Sequence, residues 1–235
     1  MTNYKILPQL GLSDGLKSHL RILFVDTCSL LDILRLPYKA GQRQSSYYQP
    51  EDYDALQNLA ADIKAGRILL LCSTLSIEEI NDNKVSVDNL LAEFQNKLSI
   101  AFPLFAHISG TSIATNIKQL VDDDLRQIYE TMRSNAYYIG QTDAVLQSAF
   151  QRVINNQLPA RKNKKDIKDC LIWETFLTIQ EILAHSDRLV FLTSNTKDFA
   201  KMEEGTTSTL IDELSAPISI LAHNYLEAVD FLRVE

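Results

Sequence analysis

The sequence predicts an α/β fold in which helices cover a mostly parallel sheet. Three short apolar runs, RILFVD at 21–26, RILLLCS at 67–73 and RLVFLT at 188–193, have the length and composition of buried strands. Longer stretches in which apolar residues recur at helical spacing separate these runs. Strands that alternate with helices favour parallel pairing, because each helix returns the chain to the same end of the sheet.

Helices are expected on either side of the second strand. Residues 30–34 carry four apolar side chains at helical spacing directly after the first strand, and residues 41–50 form a polar loop. Pro50 marks the start of a second helix and Gly66 its end. After the second strand, Ser76 and Glu79 match a capping box with Ser76 as the N-cap, which predicts a third helix start.

The middle of the chain has helical patterns and no clear strand. We therefore expect residues 81–160 to form a helical insertion within a single domain of residues 1–235. A long helix is predicted at 166–184, before the third strand. A short strand at about 218–221 and a helix at 225–232 complete the expected sheet and its cover.

Composition limits the classes of function. The net charge of −7 argues against a general nucleic-acid coat protein, because neutralising phosphates requires clustered Lys and Arg. The apolar runs are far shorter than the ~20 residues of a membrane span, and the N-terminus lacks the pattern of a signal peptide. Cys28, Cys72 and Cys170 are odd in number and far apart, as expected of reduced thiols. We expect a cytoplasmic protein that does not associate with membranes.

Acidic and amide side chains follow the predicted strands. Asp26 ends the first strand, and Glu79 lies in the first helical turn after the second. Asn195 and Asp198 follow the third strand, and Asp169 lies near the start of the long helix. Ligands of open parallel sheets bind beyond the carboxyl ends of the strands. We therefore expect these side chains to meet at one edge of the sheet.

Such a cluster of oxygen ligands indicates a divalent cation. Carboxylates gathered at one place repel one another unless cations neutralise them. Hard oxygen ligands suit Mg²⁺ or Mn²⁺, whereas the chain has no Cys/His spacing typical of zinc sites. Such ions can activate water and stabilise the leaving oxygen of a phosphodiester. The sequence thus points to phosphodiester chemistry.

Four segments resemble the signature segments of PIN-domain proteins, in the family's order. They are VDTCSLLDIL, STLSIEEI, DCLIWETF and FLTSNTKDF. This family includes the VapC-type toxin ribonucleases. The resemblance implies a three-layer α/β/α PIN-like fold with a central, mostly parallel sheet. It also implies endonucleolytic cleavage of RNA with Mg²⁺ or Mn²⁺, leaving a 5′-phosphate and a 3′-hydroxyl.

The resemblance assigns the metal ligands and catalytic residues one by one. Asp26, Glu79 and Asp169 resemble the first three acidic ligands. Asn195 stands at the fourth position, where many PIN nucleases have an acid, and supplies a carbonyl oxygen without a charge. Asp198 is expected to contribute the missing charge through water.

Substrate contacts are expected from hydroxyl groups and from one basic cluster. Thr27 and Ser29 are expected to hold the first carboxylate or a phosphate, and Thr193 and Ser194 to contact the substrate. The dense basic cluster before Asp169, expected to bind the backbone of single-stranded RNA, consists of Lys162, Lys164, Lys165 and Lys168. The resemblance further suggests an antitoxin-like or regulatory protein partner and a homodimer.

Rival interpretations remain open at this point. A receiver-like signalling module would be phosphorylated on Asp26, but it needs an acidic pair near residues 4–20 and a late lysine that are not clear here. A haloacid-dehalogenase-like phosphatase needs a second aspartate two residues after Asp26, where Cys28 stands. A PIN fold that only binds nucleic acid or regulates is consistent with the asparagine at 195. Each acidic residue could also be a plain turn or helix-cap residue.

Overall fold

The sheet of this protein has six parallel strands in the part of the chain that the structure describes. The computed structural model describes residues 4–7, 21–40, 50–109, 117–160, 167–183, 187–199, 210–215 and 218–233. The strands are β1 (Lys5–Leu7), β2 (Arg21–Val25), β3 (Leu69–Ser73), β4 (Tyr137–Ile139), β5 (Arg188–Leu192) and β6 (Ser219–Ala222). Their order is β1-β4-β3-β2-β5-β6, and every pair is parallel. This arrangement confirms the predicted α/β class.

Helices connect the strands and cover the sheet. They are α1 (Thr27–Ala40), α2 (Pro50–Lys64), α3 (Leu75–Ser109), α4 (Ile117–Asn135), α5 (Asp143–Asn155), α6 (Ile167–Ile182), α7 (Thr196–Phe199) and α8 (Tyr225–Arg233). A 3₁₀ turn covers Leu210–Glu213. Within the described ranges, no helix has the length and apolar character that a membrane span requires.

The core lies on both faces of the sheet. Along β2, Leu23 and Val25 point into a cluster shared with α1, α2, α3, α4 and α8, whereas Ile22 and Phe24 point into a cluster with α6. On the α6 side, Trp173 packs against three phenylalanine rings. The central strands are apolar at nearly every position because both of their faces are buried. The three-layer α/β/α architecture is thereby confirmed.

Two strands were not predicted from the sequence. β1 and β4 each have three residues and pair with each other, and β4 also pairs with β3 through Leu71 and Tyr137. The expectation that residues 81–160 contain no strand is therefore wrong, since β4 lies within that range. The helices on either side of it are as expected. The assignment of residues 1–235 to one domain stays a prediction.

The predicted capping box is also wrong. α3 begins at Leu75, one residue before Ser76, and the Leu75 amide donates to Ser73 Oγ at 3.2 Å. Ser76 lies inside the first turn, where its buried hydroxyl has no hydrogen-bond partner among the described residues. Glu79 is thus not held by a cap.

A buried arginine anchors the helix that carries Asp169. Arg152 on α5 donates to Glu174 on α6 and to Glu213 in the 3₁₀ turn, and its Nη1 also donates to the Leu158 carbonyl at 2.6 Å. The Trp173 indole donates to the same Glu213 carboxylate at 3.0 Å. This network ties α5, α6 and the 3₁₀ turn together and so fixes the position of α6.

The strand order creates a switch point between β2 and β5. From β2 the chain proceeds to β3 and β4 on one side, and then crosses to β5 and β6 on the other. The connections that leave β2 and β5 therefore diverge to opposite sides, which opens a crevice at their carboxyl ends. Asp26 and Thr193 are the residues directly after these two strands.

Candidate active site

Asp26 is held at the switch point by the strand beside it. Its amide donates to the Leu192 carbonyl at 3.0 Å, and its Oδ2 accepts from Thr193 Oγ1 at 2.9 Å. The residue is only 4% exposed. Asp26 is therefore a buried carboxylate whose position is set by β5.

The loop after β5 is tied to the start of α1. The Ser194 amide donates to Ser29 Oγ at 2.7 Å, and the Asn195 amide donates to Thr193 Oγ1 at 3.1 Å. Ser29 and Thr193 are both buried. Their hydroxyls bond within the protein and position Asp26 and the loop. Direct contact of Ser29, Thr193 and Ser194 with a substrate stays a prediction.

Four carboxylates raise the pKa of the Cys28 thiol in the first turn of α1. Partial desolvation raises the pKa of the Cys28 thiol above its usual range, and Asp26, Asp32, Glu79 and Asp169 each raise it further. These acids come from the end of β2, from α1, from α3 and from α6. Asp26 directly follows β2, and Glu79 lies near the start of α3 after β3, so the parallel strands bring both segments to the same edge of the sheet. A shared cation site of Asp26, Glu79 and Asp169 stays a prediction.

Asp32 is a member of this group that sequence reasoning missed. It lies on α1 one turn after Cys28, is 1% exposed, and is 3.6 Å from the Arg35 guanidinium. Its carboxylate raises the pKa of Asp26. An aspartate in an otherwise apolar helical stretch was the available signal, because acids are rarely buried unless they are paired.

The Asp26 carboxyl holds its proton unusually tightly. Burial raises its pKa from 3.8 to about 6, and the Glu79 and Asp32 carboxylates add to this effect. The hydrogen bonds from Thr193 and from the Thr27 amide oppose the rise without cancelling it. A group in this state is stabilised by any nearby positive charge.

Lys168 brings a positive charge close to the acidic residues. Lys168 Nζ lies 3.9 Å from Glu79 Oε1, and the lysine side chain is about half exposed. Lys168 directly precedes Asp169 on α6, so the basic cluster reaches the acids through this residue. Lys162, Lys164 and Lys165 lie outside the described residues.

Asn195 and Asp198 interact directly. The Asn195 Nδ2 group donates to Asp198 Oδ2 at 2.9 Å, and Asp198 is buried. A carboxylate only accepts, so this bond orients the amide and directs Asn195 Oδ1 away from Asp198. Asp198 therefore positions Asn195. A charge contribution of Asp198 through water stays a prediction.

The oxygen donors fit a hard divalent cation by their chemistry. Within the described ranges, no three His, Cys, Asp or Glu side chains already form a metal-binding group. The buried hydroxyls of Thr27 and Ser76, next to Asp26 and near Glu79, have no hydrogen-bond partner among these residues. Buried carboxylates that repel one another, beside unsatisfied hydroxyls, are suited to a hydrated cation such as Mg²⁺.

The raised pKa of Asp26 predicts a pH-dependent stability in chelator. The folded chain binds this proton more tightly than the unfolded chain, so the contribution is complete below about pH 4 and is lost as the pH rises to about 6. The change from 3.8 to about 6 corresponds to ~3 kcal/mol. Urea unfolding of the wild type and of Asp26→Asn, from pH 4 to 7 in EDTA, measures this difference. Parallel pH profiles for the two proteins would contradict it.

Comparison with known proteins identifies a family that the chain matches. A family model described as PIN domain matches residues 23–199, which include Asp26, Glu79, Asp169, Asn195 and Asp198. No curated protein and no solved structure matches the chain.

Proposed function

The chain belongs to the PIN-domain family, and on that premise we propose that it is a Mg²⁺- or Mn²⁺-dependent endoribonuclease. Proteins of this family are generally nucleases, which supports a nucleic-acid substrate. The finer proposal is hydrolysis of phosphodiester bonds in single-stranded RNA, leaving a 5′-phosphate and a 3′-hydroxyl.

One observation supports the proposal above the others. Asp26 follows β2, Glu79 lies near the start of α3, and the 3.9 Å contact of Lys168 with Glu79 brings the start of α6, which carries Asp169, to the edge of the sheet where parallel α/β proteins bind their ligands. Burial raises the pKa of Asp26 to about 6, and repulsion from Glu79 and Asp32 adds to this effect. Carboxylates that destabilise the fold when no cation is bound are expected at a functional site, because perturbed pKa values cluster at such sites.

Asp26, Glu79 and Asp169 would hold the cation, with the carbonyl oxygen of Asn195 as a neutral ligand. A divalent ion bound there lowers the pKa of water and neutralises charge on the phosphate. Thr193 orients Asp26 through its 2.9 Å hydrogen bond, and Asp198 orients Asn195. The precision of the ligand set would thus depend on the loop after β5.

Lys168 on α6 would contact a phosphate of the substrate. Lys168 is close enough to Glu79 to pair with it, yet exposed enough to turn toward a phosphate. Together with Lys162, Lys164 and Lys165, it would attract the RNA backbone to the acidic edge of a protein with a net charge of −7. An antitoxin-like or regulatory partner, a homodimer, a toxin or defence role and a cytoplasmic location complete the proposal.

A PIN module that binds without cutting is the second candidate. Asn195 removes one negative charge from the ligand set, and Lys168 already offsets part of the charge of Glu79. Both features would weaken the binding of a divalent cation. In this case Mn²⁺ would bind wild type and Asp26→Asn equally poorly.

The test uses end-labelled single-stranded RNA with wild type and Asp169→Asn, each in Mn²⁺ and in chelator. The wild type is expected to cut only with Mn²⁺, and Asp169→Asn to cut at least about a hundredfold more slowly, because a ligand charge is lost while the side-chain shape is kept. Asp123→Asn is the matched control, since Asp123 is an exposed aspartate on α4. Cleavage that survives both the chelator and Asp169→Asn would defeat the mechanism.

A further inference from the structure

A cavity lies beside the acidic site, between α1, α3 and α4. Its volume is about 300 Å³. Its apolar wall is formed by Leu31, Leu34, Ile80, Val87 and Tyr129. This volume lies at the lower end of the range found for small-molecule pockets. The cavity can therefore admit a group of moderate size.

The cavity shares two helices with the carboxylates. Leu31 directly precedes Asp32 on α1, and Ile80 directly follows Glu79 on α3. Lys84 and Val87 lie five and eight residues beyond Glu79, which is about 8 to 12 Å along the helix axis. A chain molecule held at the acids can reach the cavity with a neighbouring unit.

The rim of the cavity is positive although the protein is acidic. It carries three basic side chains, Lys84, Arg126 and Arg133, against two acidic ones, Asp88 and Glu130. Three minus two leaves a local charge of +1, whereas the whole chain has −7. This contrast favours an anionic ligand over a cationic one.

Two of these cations are available to a ligand. Arg126 is half exposed and lies 3.6 Å from Asp88, a long contact of the kind that contributes little. Lys84 has no ion pair within the described ranges. Arg133 is different, because it donates through Nε and Nη2 to Glu130 at 3.1 and 2.8 Å. Lys84 and Arg126 are therefore the groups that can turn to a phosphate.

We infer that this cavity binds one base of the RNA strand, with Lys84 and Arg126 on its phosphate, next to the bond that the carboxylates would cut. The inference rests on the proposed function. A base needs an apolar slot with polar groups at its edge, and single-stranded RNA is bound by splayed bases that stack on aromatic rings and Arg planes. Tyr129 supplies the aromatic ring in the wall of this cavity.

The test measures binding of fluorescein-labelled RNA in which one nucleotide at a time lacks its base. Ca²⁺ replaces Mg²⁺ to neutralise the acids, and gel electrophoresis verifies that the RNA stays intact. Removing the base at one position is expected to weaken binding about tenfold, the scale of one base stack. Val87→Phe, which fills the cavity, should weaken binding of intact RNA to the same extent and abolish the dependence on that base. Val85→Phe is the control, because Val85 is 68% exposed on the same helix and does not line the cavity.

A second arm changes only charge. Lys84→Gln is expected to weaken RNA binding about tenfold through loss of a charge-assisted phosphate contact. Lys97→Gln should change it less than about twofold, because Lys97 is an exposed lysine of α3 that pairs with Glu93. This arm decides the question if thermal unfolding shows that Val87→Phe is poorly folded.

The outcomes separate the two proposals. If folded Val87→Phe keeps the base dependence of the wild type, or if Lys84→Gln and Lys97→Gln bind alike, the base site is wrong while Mn²⁺-dependent cleavage stands. If an acidic apolar peptide binds the cavity and base removal has no effect, the ligand is a protein. If the wild type neither binds nor cuts RNA, the proposed function fails and the base site fails with it.

Discussion

Asp26→Asn is expected to reduce Mn²⁺-dependent RNA cleavage at least about a hundredfold and to stabilise the metal-free protein. The asparagine keeps the shape of the side chain, and its carbonyl oxygen can accept the hydrogen bond from Thr193. It removes the charge that burial and the neighbouring acids destabilise, and it also removes the charge that a cation would need. Cleavage rates in Mn²⁺ and urea unfolding in EDTA at pH 7 measure the two effects.

A buried aspartate elsewhere in the sheet provides the matched control. Asp187 is 7% exposed and precedes β5, so it lies at the amino edge of the sheet, opposite the candidate site. Folded Asp187→Asn should cut RNA at the wild-type rate. Full cleavage by Asp26→Asn, or a loss of stability in EDTA, would show that Asp26 is a structural residue.

Arg152→Met is expected to lower the free energy of unfolding by ~3–5 kcal/mol. Arg152 is buried and donates to Glu174, to Glu213 and to the Leu158 carbonyl. Methionine fills similar space but leaves two carboxylates without their cation, and uncompensated buried charge is among the most destabilising changes. Urea denaturation measures the loss as a shift of the midpoint at an unchanged slope.

A surface ion pair provides the control for this prediction. Arg67 donates to Asp62, but its side chain is 61% exposed, so Arg67→Met should cost less than ~1 kcal/mol. Similar losses for the two variants would mean that the Arg152 network contributes no more than a surface pair. Because α6 carries Asp169, a partly unfolded Arg152→Met should also lose cleavage in proportion to the unfolded fraction.

The central strands and their carboxyl-end residues could be predicted from the sequence, because local patterns carry that information. β2, β3 and β5 are apolar runs, and the rule for open parallel sheets then selects Asp26, Glu79 and Thr193. The third acid, Asp169, follows no strand, and its place near the start of the long helix is what the sequence offered to select it.

Other features depend on distant contacts, and no local pattern reports them. β1 and β4 are too short for an alternation pattern to stand out, and they form only because they pair with each other and with β3. Ser73 accepts a hydrogen bond from the Leu75 amide at the start of α3, so the capping box predicted at Ser76 does not form. The burial of Asp32 and of Arg152 results from helices that pack across long sequence separations.

The hydrogen bond from Thr193 to Asp26 joins residues that a ribosome adds 167 positions apart. Thr193 is itself held by the Ala222 carbonyl of β6, through a 3.0 Å bond from its amide. A growing chain that has left the exit tunnel only as far as α3 therefore lacks β5 and β6, and Asp26 lacks the hydrogen bond from Thr193. During translation, the proposed ligand set can be assembled only after β5 and β6 have joined β2, so the nascent chain is expected to be inert toward the messenger beside it.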